Sequence, residues 1–373
     1  LTRVHRDQDP EQPGWFQYAI GPNYRQAYGY RPESRSSEVH QLTYADIKAA
    51  TDRVSGRIRP VVLARADPGA HPDPDDPAAG DREVWLAMEF MQHTGSFKAR
   101  GAQNFIQAHR EAGALPDAGV TIASGGNAGL ACAWAAQQQG VRATVFLPET
   151  APAVKVAKLR GYDAEVRLVG AQYAEALAAC EEFAAATGAL ASHAYDHPLI
   201  AAGAGTLLEE IHQRIPGLDA VVVAVGGGGL FAGVATAARH HGIRTVAVEP
   251  ENSRALNAAI EAGRPVDVTV DSIAADSLGA RRASAMALHA AQQDGVHSVL
   301  VTDDEIARAR QALWDHRKVA VEHGAATALA ALTATGRPVA GSGEKVCVVL
   351  CGANTDPSDL VPRPTGGHNR SAT

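Results

Sequence analysis

What this chain of 373 residues lacks narrows its function first. Its four cysteines, Cys132, Cys180, Cys347 and Cys351, form no C-x-x-C pair and no framework spacing, so free thiols in a reducing compartment are expected rather than disulfides. Fifteen histidines include no H-E-x-x-H, and no dedicated zinc site is signalled. Basic residues are in deficit, 34 against 41 acidic ones for a net charge of −7, and no Lys/Arg-rich run offsets this. That argues against nucleic acid or an acidic membrane surface as a partner. No apolar run approaches the ~20 residues of a membrane-spanning helix. The opening "LTRVHRDQDPEQPG" lacks the apolar core of a signal peptide, so a soluble, cytoplasmic protein is expected. No repeat of solenoid period is present.

What is there is an ordinary globular composition, 46% hydrophobic and 20% charged, long enough for two domains or one large α/β unit. Residues 1–40, rich in Pro, Gly, Tyr and charge, read as an N-terminal extension. A helix is expected in "LTYADIKAATDRVSG", with Thr43 as cap, Asp46 three residues later and Gly56 as stop. Residues 67–81, "DPGAHPDPDDPAAGD", make a loop ahead of the apolar run "EVWLAMEF". From residue 120, the strand-like runs "GVTIAS", "ATVFLP", "AEVRLV", "AVVVAV", "TVAVEP" and "KVCVVLC" alternate with Ala-rich helical stretches. Apolar strands joined by helical crossovers imply an α/β fold of open, mainly parallel sheets flanked by helices. Ligands of such sheets bind beyond the carboxyl ends of strands, so the loops that follow strands carry the chemistry.

Four such loops stand out. In "VVVAVGGGGLFAGVATA" a strand runs through Gly226, Gly227, Gly228 and Gly229 into a helix that begins near Leu230. Consecutive glycines at a helix N-terminus leave several N–H groups open to an anion. Gly227, Gly229 and Ala232 also fit the dinucleotide pattern G-x-G-x-x-A, with Glu249 where a ribose-binding carboxylate belongs, whereas the Lys-Ser/Thr of a Walker loop is missing. In "HTGSFKARG" the small residues around Lys98 leave room for a planar ligand, and Phe97 supplies an aromatic face; a lysine in so poorly solvated a slot favours its amine form, though a lone lysine is usually a surface charge. "IASGGNAGLACAWAA" offers a second cluster of free amides at a helix N-terminus for a carboxylate, or merely a capped turn. In "VCVVLCGANTD", Cys351 ends a buried strand and by itself reads as an inert core thiol.

The set and order "GSFKARGA", "SGGNAG", "GGGGL" followed by "VEP", then "LCGANTD" resembles the fold-type II pyridoxal-phosphate enzymes, and among them the serine/threonine dehydratases. "YDHPLIAAGAGTLLEEI", "DSLGAR" and "VEHGAATALAAL" support the likeness, which runs from about residue 42 to about 360. The resemblance implies a tryptophan-synthase-β-like architecture: a large cofactor-binding domain over 41–118 and 198–362, a small substrate-gating domain over 119–197, and a tail at 363–373. It implies pyridoxal 5'-phosphate carried by Lys98 as a Schiff base, with Phe97 and Asn127 beside the ring. Gly226, Gly227, Gly228, Gly229 and Leu230 would hold the phosphate, and Cys351 would face the pyridine nitrogen. Ser124, Gly125, Asn127 and Ala128 would hold the substrate carboxylate. A homodimer is the family's usual form.

The implied reaction is β-elimination from serine, threonine or a related β-hydroxy amino acid, giving a 2-oxo acid and ammonia. Lys98, freed from the cofactor, would be the base at Cα. A thiol cannot hold a pyridinium proton as an ionised Asp does, so Cys351 favours prompt loss of the β-substituent over transamination. Racemases of this family look to have a serine where Gly125 stands, which argues against racemisation. A potassium ion is implied near Gly226, Glu249, Ser253, Leu278 and Ala280, with magnesium disfavoured because Ala255 replaces an acidic residue; alternatively Glu249 is only a cap. Two stretches depart from the family pattern, "RPVVLARAD" (59–67) and "MEFMQH" (88–93), both where a substrate side chain would be read. With 19 residues after Asn354, no regulatory domain is expected there. The rival readings are a cysteine-synthase-like β-replacement synthase on the same scaffold, and a protein that binds NAD or has no catalytic role.

Overall fold

The computed structural model describes residues 41–66, 82–332 and 339–361. The N-terminal extension, the loop 67–81 and the tail 363–373 lie outside the described residues. Two sheets organise the rest. The larger has six strands in the order β1-β2-β10-β7-β8-β9, where β1 is Leu63–Arg65, β2 Glu83–Ala87, β7 Ala220–Ala224, β8 Arg244–Pro250, β9 Val296–Val301 and β10 Lys345–Val349. The smaller, of four strands, runs β5-β4-β3-β6, with β3 Val120–Ala123, β4 Ala143–Leu147, β5 Glu165–Leu168 and β6 Leu190–Ala191. Every pairing is parallel except that of β1 with β2. All residues of β3, β4 and β7 are buried, as apolar runs interrupted only by Thr121 and Thr144 require when helices cover both faces.

The expected strands and the first helix are present. Thr43 and Asp46 form a capping box on the helix Tyr44–Val54, and the chain turns at Gly56 with φ 68. Three strands escaped the sequence reading: β1, β6 and β9. They are short or half-exposed edge strands, so their residues carry neither a continuous apolar run nor a clean alternation.

The helix Pro198–Arg214 is the spine that brings the functional loops together. It meets the helix Lys98–Glu111 where Gly101 and Gly203 allow backbones to touch: a methyl on either would lie 2.7 Å from a main-chain oxygen. It meets the helix Gly229–His240 through Gly205 and Gly233 in the same way, at 2.7 and 2.2 Å. Arg100 locks the first junction. It is fully buried, pairs with both oxygens of Glu89 at 2.6 and 3.0 Å, and donates to Glu210 at 2.7 Å. Lys98, two residues away, therefore starts from a helix end that cannot drift.

Candidate active site

Lys98 opens its helix beyond the carboxyl ends of β2 and β10, and the loop carrying Cys351 is sewn to it. Phe97 N donates to Cys351 O at 3.0 Å, Ala353 N donates to Gly95 O at 2.9 Å, and Ser96 bridges to Gly352. The Lys98 amine lies 4.7 Å from the centre of the Phe97 ring and donates to the carbonyl of Ala194 at 2.6 Å. Burial lowers its pKa to about 8, against the opposing pull of the nearby Cys351 and Glu322. Burial also pushes the Cys351 thiol up to about 12, with Glu322 raising it further, so at neutral pH this group is uncharged.

The tetraglycine loop is reached through the neighbour of Ala194. Tyr195 lays its ring on Gly227, where a methyl would come within 2.4 Å of ring carbons, and a methyl on Gly229 would come within 2.7 Å of its carbonyl oxygen. Adjacent residues are ~3.8 Å apart along the chain, so one dipeptide touches both the amine and the glycines. Gly228 caps the helix Gly229–His240 in the left-handed region. Among the described residues, none of the amides of Gly226, Gly227, Gly228, Gly229 and Leu230 has an acceptor in the chain. Five such donors beside a helix N-terminus suit a phosphate.

Across from Lys98, the loop after β3 presents the amides of Gly125, Asn127 and Ala128, likewise without acceptors among the described residues, while Ser124 Oγ accepts Gly126 N at 3.3 Å. Gly129 is obligatory here, since a methyl would lie 1.8 Å from the Ser124 carbonyl oxygen.

Three residues that the sequence reading did not assign hold these loops in place. The buried Glu322 accepts Asn127 Nδ2 on both carboxylate oxygens, at 2.9 and 3.1 Å, and the Asn354 amide at 2.9 Å. Asn354 Nδ2 donates to Asn127 Oδ1 at 2.8 Å and to Thr94 O at 2.6 Å. The network thus fixes which end of the Asn127 amide faces which partner. Thr94 itself sits at φ 64, a costly conformation for a β-branched residue, and Asn354 pins its carbonyl. The only signal for Glu322 was an acid within an apolar run, which looks like any first-turn helix residue. Glu322→Gln puts an N–H where the carboxylate now accepts, and kcat/KM is expected to fall about ten- to a hundredfold with a small change in Tm. Steady-state kinetics and a thermal melt check this.

The two stretches that depart from the family pattern pack on one another. Gln92 accepts Arg59 N at 2.9 Å and donates to Arg59 O at 2.7 Å. With Met91, Thr94, Gly95 and Asn354 they line a cleft of about 580 Å³. Of the cation candidates, Ser253 Oγ donates to Leu278 O at 3.0 Å, and Gly226 packs on Leu278. Glu249 is fully buried, and its two oxygens accept Leu256 N and Asn257 N at 2.7 and 2.8 Å, capping the helix Ala255–Ala262. Burial raises its pKa to about 7. Among the described residues, no group of three or more His, Cys, Asp or Glu side chains is arranged to hold a metal, and no helix is long and apolar enough to cross a membrane.

Residues 73–352 match the family model described as pyridoxal-phosphate dependent enzyme. The chain belongs to that family. Relatives of this pyridoxal-phosphate enzyme include an L-threonine ammonia-lyase of Geobacter sulfurreducens, 37% identical over 318 residues, or 84% of this chain and 76% of the relative. A serine dehydratase-like protein of Mus musculus is 37% identical over 285 residues, or 73% of this chain and 85% of the relative. Among solved structures, the serine racemase of Dictyostelium discoideum superposes with a TM-score of 0.75 at 30% identity, covering 84% of this chain and 99% of that one. The fold is thus fold type II, as the order of the loops implied. The site fits the cofactor on its own terms: a desolvated lysine amine, five unpartnered amides one dipeptide away, and the buried hydroxyls of Thr94 and Ser96 without hydrogen-bond partners.

Proposed function

We propose that this enzyme eliminates the β-hydroxyl of a small amino acid, serine or threonine, to release ammonia and a 2-oxo acid. The observation that carries the proposal is the buried Lys98 amine, its pKa lowered to about 8, beside the uncharged thiol of Cys351. Both are what prompt elimination needs. An amine with that proton affinity serves as a base near neutral pH. The names of the relatives from Geobacter sulfurreducens and Mus musculus support the same reaction class.

Bound pyridoxal phosphate supplies an electron sink for the pair left at Cα when its proton is removed. The amides of Gly226, Gly227, Gly228, Gly229 and Leu230 would hold its phosphate, with Phe97, Asn127 and Cys351 around the ring. The neutral thiol of Cys351 would give a ring nitrogen no charge to hold a proton against, and so would restrain the sink. The amides of Gly125, Asn127 and Ala128, with Ser124, orient the substrate carboxylate and so bring the Cα–H bond towards Lys98. Lys98 takes that proton: the Cα–H bond breaks, an Nζ–H bond forms, and the Ala194 carbonyl steadies the ammonium. The pair left by the proton then closes a Cα–Cβ double bond as the Cβ–O bond breaks. The hydroxyl leaves with one proton as water, and hydrolysis of the released enamine gives ammonia and the 2-oxo acid. The single phosphate accounts for the glycines without a dinucleotide. A homodimer, a cytoplasmic location, the 119–197 gating unit and a potassium ion at Glu249 belong to the same reading; each Glu249 oxygen still has a lone pair to offer a cation.

A lactate-dehydrogenase-coupled assay tests the proposal. Serine or threonine is expected to give 2-oxo acid with no added nucleophile. Product that forms only when a thiol is supplied overturns elimination in favour of β-replacement. Racemisation needs a donor on the opposite face of Cα, and Gly125 has none. In Gly125→Ser the new Cβ meets only a tip of Leu147, at 2.9 Å, which a rotamer change relieves. That variant is expected to form D-amino acid that the parent does not, read by chiral chromatography.

A further inference from the structure

The partner of the Lys98 amine is a main-chain carbonyl, and that carbonyl is itself held from behind. Ala194 C=O and Tyr195 N–H belong to one peptide group. At one end the oxygen accepts Lys98 Nζ at 2.6 Å. At the other the N–H donates to Nδ1 of His193 at 3.2 Å, and the next amide, that of Asp196, donates to the same Nδ1 at 2.7 Å. An Nδ1 that accepts two amides carries no proton, so His193 is a neutral imidazole with its proton on Nε2. Burial, and then the charge of Lys98, hold its pKa down to about 4, and it stays in this form across the physiological range.

We propose that His193 is a positioning residue for Lys98, acting through the single peptide group between Ala194 and Tyr195. This rests on Lys98 being the base at Cα. Hydrogen bonds in series polarise one another, so an imidazole that accepts the peptide N–H makes the peptide oxygen a better acceptor. A better acceptor favours the ammonium form of Lys98 over the amine. That is the form Lys98 takes as the Cα–H bond breaks and the proton passes to Nζ, the electron pair staying with the substrate. The same two bonds fix the peptide plane, and with it the direction from which Nζ is held.

Two substitutions separate this role from simple folding. Leucine at 193 fills space without accepting, whereas asparagine can accept the same two amides through Oδ1 in an Asx turn. In His193→Leu, turnover in the cofactor-loaded enzyme is expected to fall about tenfold or more with KM little changed. In the full chain stripped of cofactor, acetylation of Lys98 at neutral pH, followed by peptide mass spectrometry, is expected to become about three- to tenfold faster, because the Ala194 carbonyl, no longer polarised from behind or held in its plane, supports the ammonium less well. Opposite movements of turnover and labelling are the signature, with the pH midpoint of labelling moving below about 8; damage to the fold would instead return Lys98 to its ordinary pKa and move that midpoint up towards 10.5. His193→Asn is expected to stay within about twofold of the parent in labelling and to restore most of the turnover. Unchanged or slower labelling in His193→Leu overturns the proposal, as does His193→Asn behaving like His193→Leu. Should the parent enzyme release no ammonia from any amino acid, the proposed function falls while the labelling still decides the role of His193.

Discussion

Lys98→Ala is expected to bring about the largest functional loss: no yellow colour with pyridoxal phosphate, and turnover lower by about a thousandfold or more. The same substitution is expected to stabilise the cofactor-free chain. The fold lowers the pKa of Lys98 from 10.5 to about 8, so the unfolded chain binds this proton more tightly than the folded one does. The cost of burying the ammonium is therefore full below about pH 8, shrinks as pH rises, and is gone above about 10.5. At neutral pH alanine removes a penalty on the order of 1–3 kcal/mol, set against some lost packing of the lysine stem. Urea unfolding of the cofactor-free parent and variant at pH 7 and pH 10 checks this: the variant should lead at pH 7, and its margin should narrow at pH 10. A variant that is inactive because it is misfolded would instead be less stable at both.

Gly228→Ala is expected to have the largest effect on cofactor retention. Gly228 has φ 93, and a methyl there would stand 2.3 Å from the Cβ of Ala287 in the helix Ala285–Ala291. Backbone strain and the clash together are expected to cost about 2–4 kcal/mol. Relief requires the loop to move, which swings the Gly228 and Gly229 amides off the phosphate, and affinity for pyridoxal phosphate should fall at least about tenfold. Gly242 provides the control. It has φ 70 with nothing within 4 Å of a built methyl, so Gly242→Ala carries the strain without the clash and leaves cofactor affinity as it was. Equilibrium dialysis against pyridoxal phosphate, with denaturant melts of both variants, distinguishes the two. Equal affinity in both would remove the phosphate from this loop.

Much of the site was legible because its elements are local. The proposed phosphate cradle is four glycines between a strand and a helix, and the lysine proposed to carry the cofactor lies among small residues in a run of nine letters, "HTGSFKARG". Glu322, Asn354 and His193 were not legible as site residues. Glu322 is 195 positions from Asn127, and Asn354 is 260 from Thr94. A histidine that accepts from its own following amides looks, in sequence, like any loop histidine. The reading of Glu249 as a cation ligand or a cap was open for the same reason. The structure shows both oxygens accepting amides seven and eight residues away, and each keeps a lone pair for the proposed cation.

The order of residues by itself determined the α/β class, the parallel strands β3, β4, β5, β7, β8 and β10, and the chemistry that each loop can offer. Burial on both faces and a free helix N-terminus are properties of short stretches, and a linear code can carry them. Only the tertiary structure decided how far apart those loops stand and how strongly Lys98 holds its proton. Desolvation, the Ala194 carbonyl and the carboxylate of Glu322 reach that amine from remote parts of the chain, and their sum exists only once the two sheets have closed around it.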